Sequence, residues 1–205
     1  MELLNAGDTV FDAFAGIGPF AVPAAKKKCQ VFANDLNPES YHWLNENAKI
    51  NKVKNIETFN LDGREFLRTI FKNELMKKMK TDTKATGDIH IVMNLPALAI
   101  EFTDVFNGLL GDIDKSMLKS MYHPKVHCYC FSKEEDLERD VKERLEGAMQ
   151  WPVPDDAEIR FVRNVAPNKD MMRASFRLSE EMLFCSKETE SESPPTKKLK
   201  EDTGT

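Results

Sequence analysis

Apolar residues along this chain change their spacing repeatedly, and each change predicts a new element. From Asp8, "DTVFDAFAG" is an almost unbroken run of Val, Phe and Ala that stops at Gly16, which predicts a buried strand. "PFAVPAAKKK" has helical character; Pro19 suits a first turn, and Pro23 is expected to disturb the interior. "CQVFAND" predicts a second strand. "NPESYHWLNENAKINK" predicts a helix capped by Asn37, with Pro38 at its first position and Tyr41, Leu44 and Ala48 on one face. "NIETFNLD" predicts a third strand. "GREFLRTIFKNELMKK" predicts a helix with Phe66, Leu67, Ile70, Phe71 and Leu75 at helical spacing. "DIHIVMNLP" predicts a fourth strand ending at Pro96, and "ALAIEFTDVFNGLLG" a helix stopped near Gly111. "KVHCYCFS" alternates as a fifth strand, and "EEDLERDVKERLEGAM" is an amphipathic helix. "EIRFVRNV" and "RASFRLS" predict two closing strands joined by "APNKDMM".

Strands alternating with helices predict an α/β fold, a doubly wound and mostly parallel sheet. Two strands in succession at the end predict an antiparallel pair at one sheet edge. That ending belongs to Rossmann-like methyltransferase folds, and ordinary dinucleotide-binding domains lack it. The expected organisation is one domain over residues 1–185 and a disordered tail over 186–205, where "SKETESESPPTKKLKEDTGT" has no apolar period. The Lys-rich stretch "MKKMKTDTKATGD" reads as a solvated loop.

Composition narrows the function classes. A chain of 205 residues with 41% hydrophobic and 31% charged residues can bury a core and stay in water. No apolar run is long enough to span a bilayer, and "MELLNAGD" is neither a signal nor a transit peptide, so no membrane partner is expected. The location reads as intracellular, with cytoplasm, nucleus and mitochondrial matrix undistinguished. The four cysteines, Cys29, Cys128, Cys130 and Cys185, have no metal-ligand spacing and read as buried reduced thiols; no metal site is expected. A net charge of -5 excludes a uniformly basic nucleic-acid grip. Local help is available from Arg160, Arg163, Lys169, Arg173 and Arg177 in the last two strands, which can track phosphates or simply keep an edge strand solvated.

In a doubly wound sheet, ligands bind beyond the carboxyl ends of the strands. Gly16 and Gly18 follow the first strand and let the backbone bend close to a ligand. With Ala21 they formally fit the dinucleotide fingerprint G-x-G-x-x-[G/A]. Asp35 ends the second strand nineteen residues after Gly16, the position of an acid that binds a ribose diol. Asp62 ends the third strand, where it can accept from an adenine amino group while the Gly63 amide donates to the ring; it can equally cap the helix that follows. Asn94 and Pro96 end the fourth strand in "MNLP". Asn offers both an acceptor and donors to a base edge, and the proline can turn carbonyls toward a ligand; Asn-x-Pro is also a common strand-exit turn. Asp12 can sit near a cationic ligand group or bond to nearby amides.

"DAFAGIGPF", "ANDLNP", "LDGRE" and "MNLP", followed by "VRNVAPNKDMMRASFRL", resemble the tRNA guanine-37 N1-methyltransferases of the archaeal and eukaryotic type, from Asp8 to about Leu178. The resemblance implies S-adenosyl-L-methionine as methyl donor and, as acceptor, the guanosine 3′ of the anticodon in tRNA. By motif position it places Phe14, Asp35 with the adjoining Leu36, Asp62 and Asn94 in the donor pocket. Asn94 and Pro96 also match the edge that faces the guanine. The glycine turn then needs no pyrophosphate cradle; it accommodates the methionine part, and Asp12 serves the sulfonium and amine end. The resemblance further implies that a general base, a catalytic arginine, a pocket-closing helix and tRNA-binding domains lie upstream of the glycine motif. Only Met1 to Asn5 precede that region here, so the chain is expected to be the carboxyl-terminal portion of a longer enzyme, a monomer with little activity alone. Two other readings stand beside it: an NAD-binding oxidoreductase domain, and a catalytically inactive methyltransferase-fold module that binds a partner protein.

Overall fold

The computed structural model describes residues 4–81, 87–167 and 169–185. Seven strands form one sheet: β1 (Thr9–Asp12), β2 (Gln30–Asn34), β3 (Ile56–Phe59), β4 (Ile89–Met93), β5 (Lys125–Ser132), β6 (Glu158–Ala166) and β7 (Lys169–Arg177). Their spatial order is β3-β2-β1-β4-β5-β7-β6. The first five are mutually parallel, and β7 runs antiparallel to both β5 and β6. The antiparallel ending is as expected. Its arrangement is more specific than the sequence pattern conveyed, because the last strand inserts beside β5 and leaves β6 at the edge.

Strand parity divides the core between the two faces of the sheet. Val10, Val31, Ala33 and Val92 point to one side and pack on Ala21, Ala24, Ala25 and Leu44 of α1 (Ala21–Lys26) and α2 (Pro38–Ile50). Phe11, Phe32, Ile89, Ile91 and Met93 point to the other side and meet Phe66, Phe71, Leu75 and Phe106. Phe11 stacks on Phe32 with centroids 4.9 Å apart and takes the edge of Phe71 at 5.1 Å. Such pairs add directional contact to the burial of large apolar area.

Several local expectations are corrected. Helix α1 begins only at Ala21, so Pro23 falls in its first turn, where a missing amide costs little, and does not disturb an interior. The third helix is continuous from α3 (Gly63–Phe66) to α4 (Lys72–Lys80), but Leu67–Phe71 between them is widened into a π turn. The stretch after "MNLP" forms a 3-10 helix, Ala99–Phe106, in place of an α-helix to Gly111. Helix α5 (Leu137–Met149) is as expected. Strand β7 starts at Lys169, not Arg173, so the hairpin is tighter than "APNKDMM" suggested. A short α6 (Glu180–Phe184), capped by Ser179, buries Met182 and Leu183 and was not anticipated. Its carbonyls at Met182 and Leu183 accept from Gly108 and Leu110 at 2.8 and 2.7 Å, which docks it on the second core layer. The predicted tail, 186–205, lies outside the described residues, as do residues 82–86 of the Lys-rich loop.

Cys29, Cys128 and Cys130 are buried free thiols, as expected, whereas Cys185 is exposed. Among the described residues no helix is long and apolar enough to cross a membrane, and no cluster of His, Cys, Asp or Glu could hold a metal ion. His90 and His127 form a buried pair, Nδ1 to Nε2 at 3.0 Å, with His127 Nδ1 2.9 Å from Ser175 Oγ. Burial holds both imidazoles low, His127 down to about 3, so the pair is a neutral cross-strand clamp.

The glycine turn after β1 shows why its sequence is constrained. Gly18 adopts φ +97, and a Cβ there would lie 2.9 Å from both Leu44 Cδ1 and Val22 Cγ2. Gly18→Ala is expected to cost about 1–3 kcal/mol of stability, from the left-handed backbone and the crowding together. Urea denaturation checks this, and an unchanged midpoint would mean the turn re-forms without the strain.

Candidate functional site: the crevice at the strand ends

The sequence-predicted residues come from the carboxyl ends of four adjacent parallel strands, β3, β2, β1 and β4. The β1 end supplies Asp12, Phe14, Gly16 and Gly18; β2 supplies Asp35 and Leu36; β3 supplies Asp62 and Gly63; β4 supplies Asn94 and Pro96. Direct contacts tie three of the four together. Gly16 N–H donates to Asp35 Oδ2 at 2.8 Å, and Asn37 N–H donates to Asp35 Oδ1 at 2.9 Å. The Phe14 ring packs so closely on Gly63 that a Cβ there would lie 2.7 Å from Phe14 Cε1.

Asp35 therefore has two structural bonds and is only half-buried. A carboxylate has about four acceptor positions, so two internal amides leave capacity for a diol. Asp62 does cap α3, accepting from Arg64 N–H at 2.8 Å and Glu65 N–H at 3.3 Å through Oδ1. The cap reading is thus realised, and Oδ2 carries no bond within the described chain. Leu36 is 65% exposed, an apolar side chain left at the crevice mouth.

Gly16 has φ +55, and no atom of the described residues lies within 4 Å of where its Cβ would be. Gly18 is crowded by core side chains, but Gly16 faces free space. The turn thus combines one glycine required for packing with one that leaves room.

Asp12 has the least comfortable position of any carboxylate in the crevice. It is fully buried, and neither oxygen has a hydrogen-bond partner among the described residues. Burial raises its pKa from 3.8 to about 7, and the Asp35 charge adds to the rise; the nearby Phe14 amide draws it part of the way back without closing a bond of normal geometry. A buried carboxylate without a partner is costly in a native structure, and a cation at the site is what would compensate it.

Asn94 is half-buried one residue past β4, and its amide makes no hydrogen bond to the described residues. Its hydrogen-bonding groups are therefore uncommitted. The Pro96 carbonyl accepts from Phe131 N–H at 3.0 Å and so fastens the loop to the end of β5.

The residue that sequence reasoning missed is Asn34. Buried at the last position of β2, it donates to Ala13 O at 3.2 Å and Leu61 O at 3.0 Å and accepts from Leu61 N–H at 2.9 Å. It links the ends of three strands and sets their spacing. An Asn closing an otherwise apolar strand was the available signal.

The five basic residues of the hairpin lie on one face of β6 and β7 by register, but they do not form one patch. Arg163 and Lys169 lie toward the edge of the sheet that carries the crevice, while Arg177 pairs with Lys125 at the opposite end. Arg177 is held there by Asp88 at 3.3 Å and the His123 carbonyl at 3.1 Å. Arg160 and Arg173 flank Glu158 at 3.4 and 4.0 Å, and Lys169 Nζ sits 4.0 Å over the Phe131 ring.

Asp35→Ala is expected to weaken S-adenosylhomocysteine binding by about 1.5–3 kcal/mol, the value of hydrogen bonds to a charged acceptor. It also releases Gly16 N–H, so part of the loss comes from the turn. Calorimetry on the folded variant checks this, and unchanged affinity would remove Asp35 from the pocket.

Comparison with known proteins follows the same lines. The model of the TRM5/TYW2 methyltransferase domain matches residues 1–149. A Danio rerio tRNA (guanine(37)-N(1))-methyltransferase is 49% identical over 98% of this chain and 42% of its own length. Among solved structures, Trm5b from Pyrococcus abyssi superposes with a TM-score of 0.57 at 29% identity, covering 87% of this chain and 46% of that one. TYW2 from M. jannaschii, in complex with AdoMet, gives 0.59 at 25% identity, covering 85% and 70%. The chain spans about two-fifths of the length of the curated relatives it matches.

Proposed function

The chain belongs to the TRM5/TYW2 methyltransferase family, and from that premise we propose that it holds S-adenosyl-L-methionine at the strand ends and serves transfer of its methyl group to N1 of guanosine-37 in tRNA. The observation that carries the donor assignment is Asp12. An unpartnered buried carboxylate beside Asp35 suits the amine and sulfonium charges of this donor and opposes a pyrophosphate. The Gly16-x-Gly18 spacing alone would also fit NAD; the Asp12 carboxyl favours the sulfonium donor over it. The M. jannaschii relative with AdoMet and the names of the curated relatives support the reading.

In this proposal Gly16 leaves space for the methionine portion, Asp35 accepts from the ribose, and Leu36 and Phe14 cover apolar surface of the adenosine. Asp62 Oδ2 and the Gly63 amide meet the adenine edge. The bound donor supplies an electrophilic methyl on a cationic sulfur, so the protein's contribution is largely positioning. Asn94 orients the guanine edge through its uncommitted amide, and it cannot itself take the N1 proton. Pro96 acts indirectly, through the loop it ties to β5. Arg163 and Lys169, at the crevice edge of the hairpin, are the basic residues best placed for tRNA phosphates.

The test is a mass-spectrometric map of methylated nucleosides after incubation of tRNA with S-adenosyl-L-methionine and a version of the protein extended upstream to the length of its relatives. One N1-methylguanosine at position 37, absent from tRNA carrying adenosine there, is expected. A methylated nucleoside at another position would overturn the proposal.

A further inference from the structure

One aromatic residue outside the strand-end motifs is built into the crevice wall and held there from behind. Phe102 lies in the 3-10 helix that follows Asn94-Leu95-Pro96 and is half-buried. Its ring meets Phe14 edge to face, with centroids 4.9 Å apart and planes at 78°. A Cβ on Gly63 would lie 3.0 Å from Phe102 Cε1 and 2.7 Å from Phe14 Cε1, so both rings close on the backbone of Gly63. The Arg64 guanidinium sits 4.4 Å from the Phe102 centroid. Arg64 is itself fixed: Nε lies 3.1 Å from each Asp104 oxygen, and Nη2 donates to the Glu101 carbonyl at 3.0 Å. A planar guanidinium clamped at both ends and laid on a ring face defines the plane of that ring.

We infer that Phe102 contacts the adenine ring of the methyl donor and that Arg64 is a positioning residue acting through Phe102, an inference that rests on the donor-site reading above. An adenine whose edge reaches the Gly63 amide must lie against whatever packs on Gly63, and that is the corner formed by Phe14 and Phe102. A purine face and an aromatic wall are matched surfaces. Donor affinity then depends on Arg64, a residue that touches Phe102, Asp104 and Glu101 and not the ligand.

The experiment is calorimetric titration of the chain with adenosine and with S-adenosylhomocysteine, repeated for F102A, F102L, F102Y, R64A and the F102A/R64A pair. Phe102→Ala is expected to weaken both ligands by the same factor, about tenfold or more, as for loss of a base-stacking aromatic. Phe102→Tyr keeps the aromatic face and is expected to lose less affinity than Phe102→Leu; an equal or larger loss would overturn the stacking contact. Phe102→Leu keeps apolar bulk without the aromatic face and loses affinity, which decides the matter if the alanine variant does not fold. Arg64→Ala is expected to weaken both ligands several-fold alone and to add nothing in the Phe102→Ala background, the coupling expected of residues acting as a unit. Wild-type affinity in folded F102A or F102L would overturn the adenine contact. An equal cost of R64A in both backgrounds would overturn the positioning role. If the wild-type chain binds neither ligand, the donor-site reading falls first and this inference with it.

Discussion

The substitution Asp12→Asn is expected to make the folded chain more stable at pH 8 and a poorer binder of S-adenosyl-L-methionine. The native carboxyl has its pKa raised to about 7 by burial, so the folded state holds a proton there that the unfolded chain, near 3.8, has released. A raised pKa gives stability that is complete below the unfolded value and is lost as pH climbs through the folded one. Above pH 7 the ionised, unpartnered Asp12 costs on the order of 3–4 kcal/mol as an upper bound. The amide side chain of the variant carries no charge and avoids that cost, so the variant should melt several degrees higher at pH 8 and close to wild type at pH 4. The same charge is what a cationic donor would compensate. Wild-type affinity for S-adenosyl-L-methionine should rise from pH 6 to pH 8 with proton release, and the variant's should stay flat. Thermal melts and calorimetry at these pH values check both halves. A variant less stable at pH 8, or one with undiminished affinity, would show that Asp12 is satisfied within the fold.

In a version extended upstream to the length of its relatives, Asn94→Ala is expected to lower single-turnover methylation of tRNA on the order of 10²-fold, the cost of a misplaced reacting group, while tRNA affinity changes little. Asn94 is at the end of β4, beside β1 in the sheet, and its amide has no partner within the described chain. Affinity for tRNA is set mainly by many phosphate contacts, to which one amide contributes little. Rate and filter-binding measurements should therefore diverge. Equal losses in both would make Asn94 a docking residue. No loss in either would make "MNLP" a strand-exit turn only.

The sheet was legible because parity is a strong signal. Val10, Val31 and Val92 on one side and Phe11, Phe32, Ile91 on the other follow directly from a period of two. Helix detail was not legible where local preference and tertiary packing compete. The π turn at Leu67–Phe71 keeps the apolar spacing of an ordinary helix, so its sequence reads the same. The stretch after Pro96 has helical periodicity yet forms a 3-10 helix, preceded by a loop that the Pro96 carbonyl ties to Phe131. Helix α6 covers only five residues and exists because Met182 and Leu183 find a core to enter. For the site, residue type and strand-end placement revealed Asp35, Asp62 and Asn94. They could not reveal that Asp12 lacks partners, that Pro96 spends its carbonyl on Phe131, or that Arg177 lies at the wrong end of the hairpin. Those are properties of three-dimensional neighbours. Asn34 escaped for the same reason: its value lies in the three strand ends it joins.

The central claim is that the crevice at the strand ends takes a sulfonium donor and not a dinucleotide. Side-by-side calorimetric titrations of the chain with S-adenosyl-L-methionine and with NADH test it most directly. Saturable binding of one S-adenosyl-L-methionine per chain, diminished in Asp35→Ala and with no heat from NADH, is the predicted result. Saturable binding of NADH with none of S-adenosyl-L-methionine would contradict it.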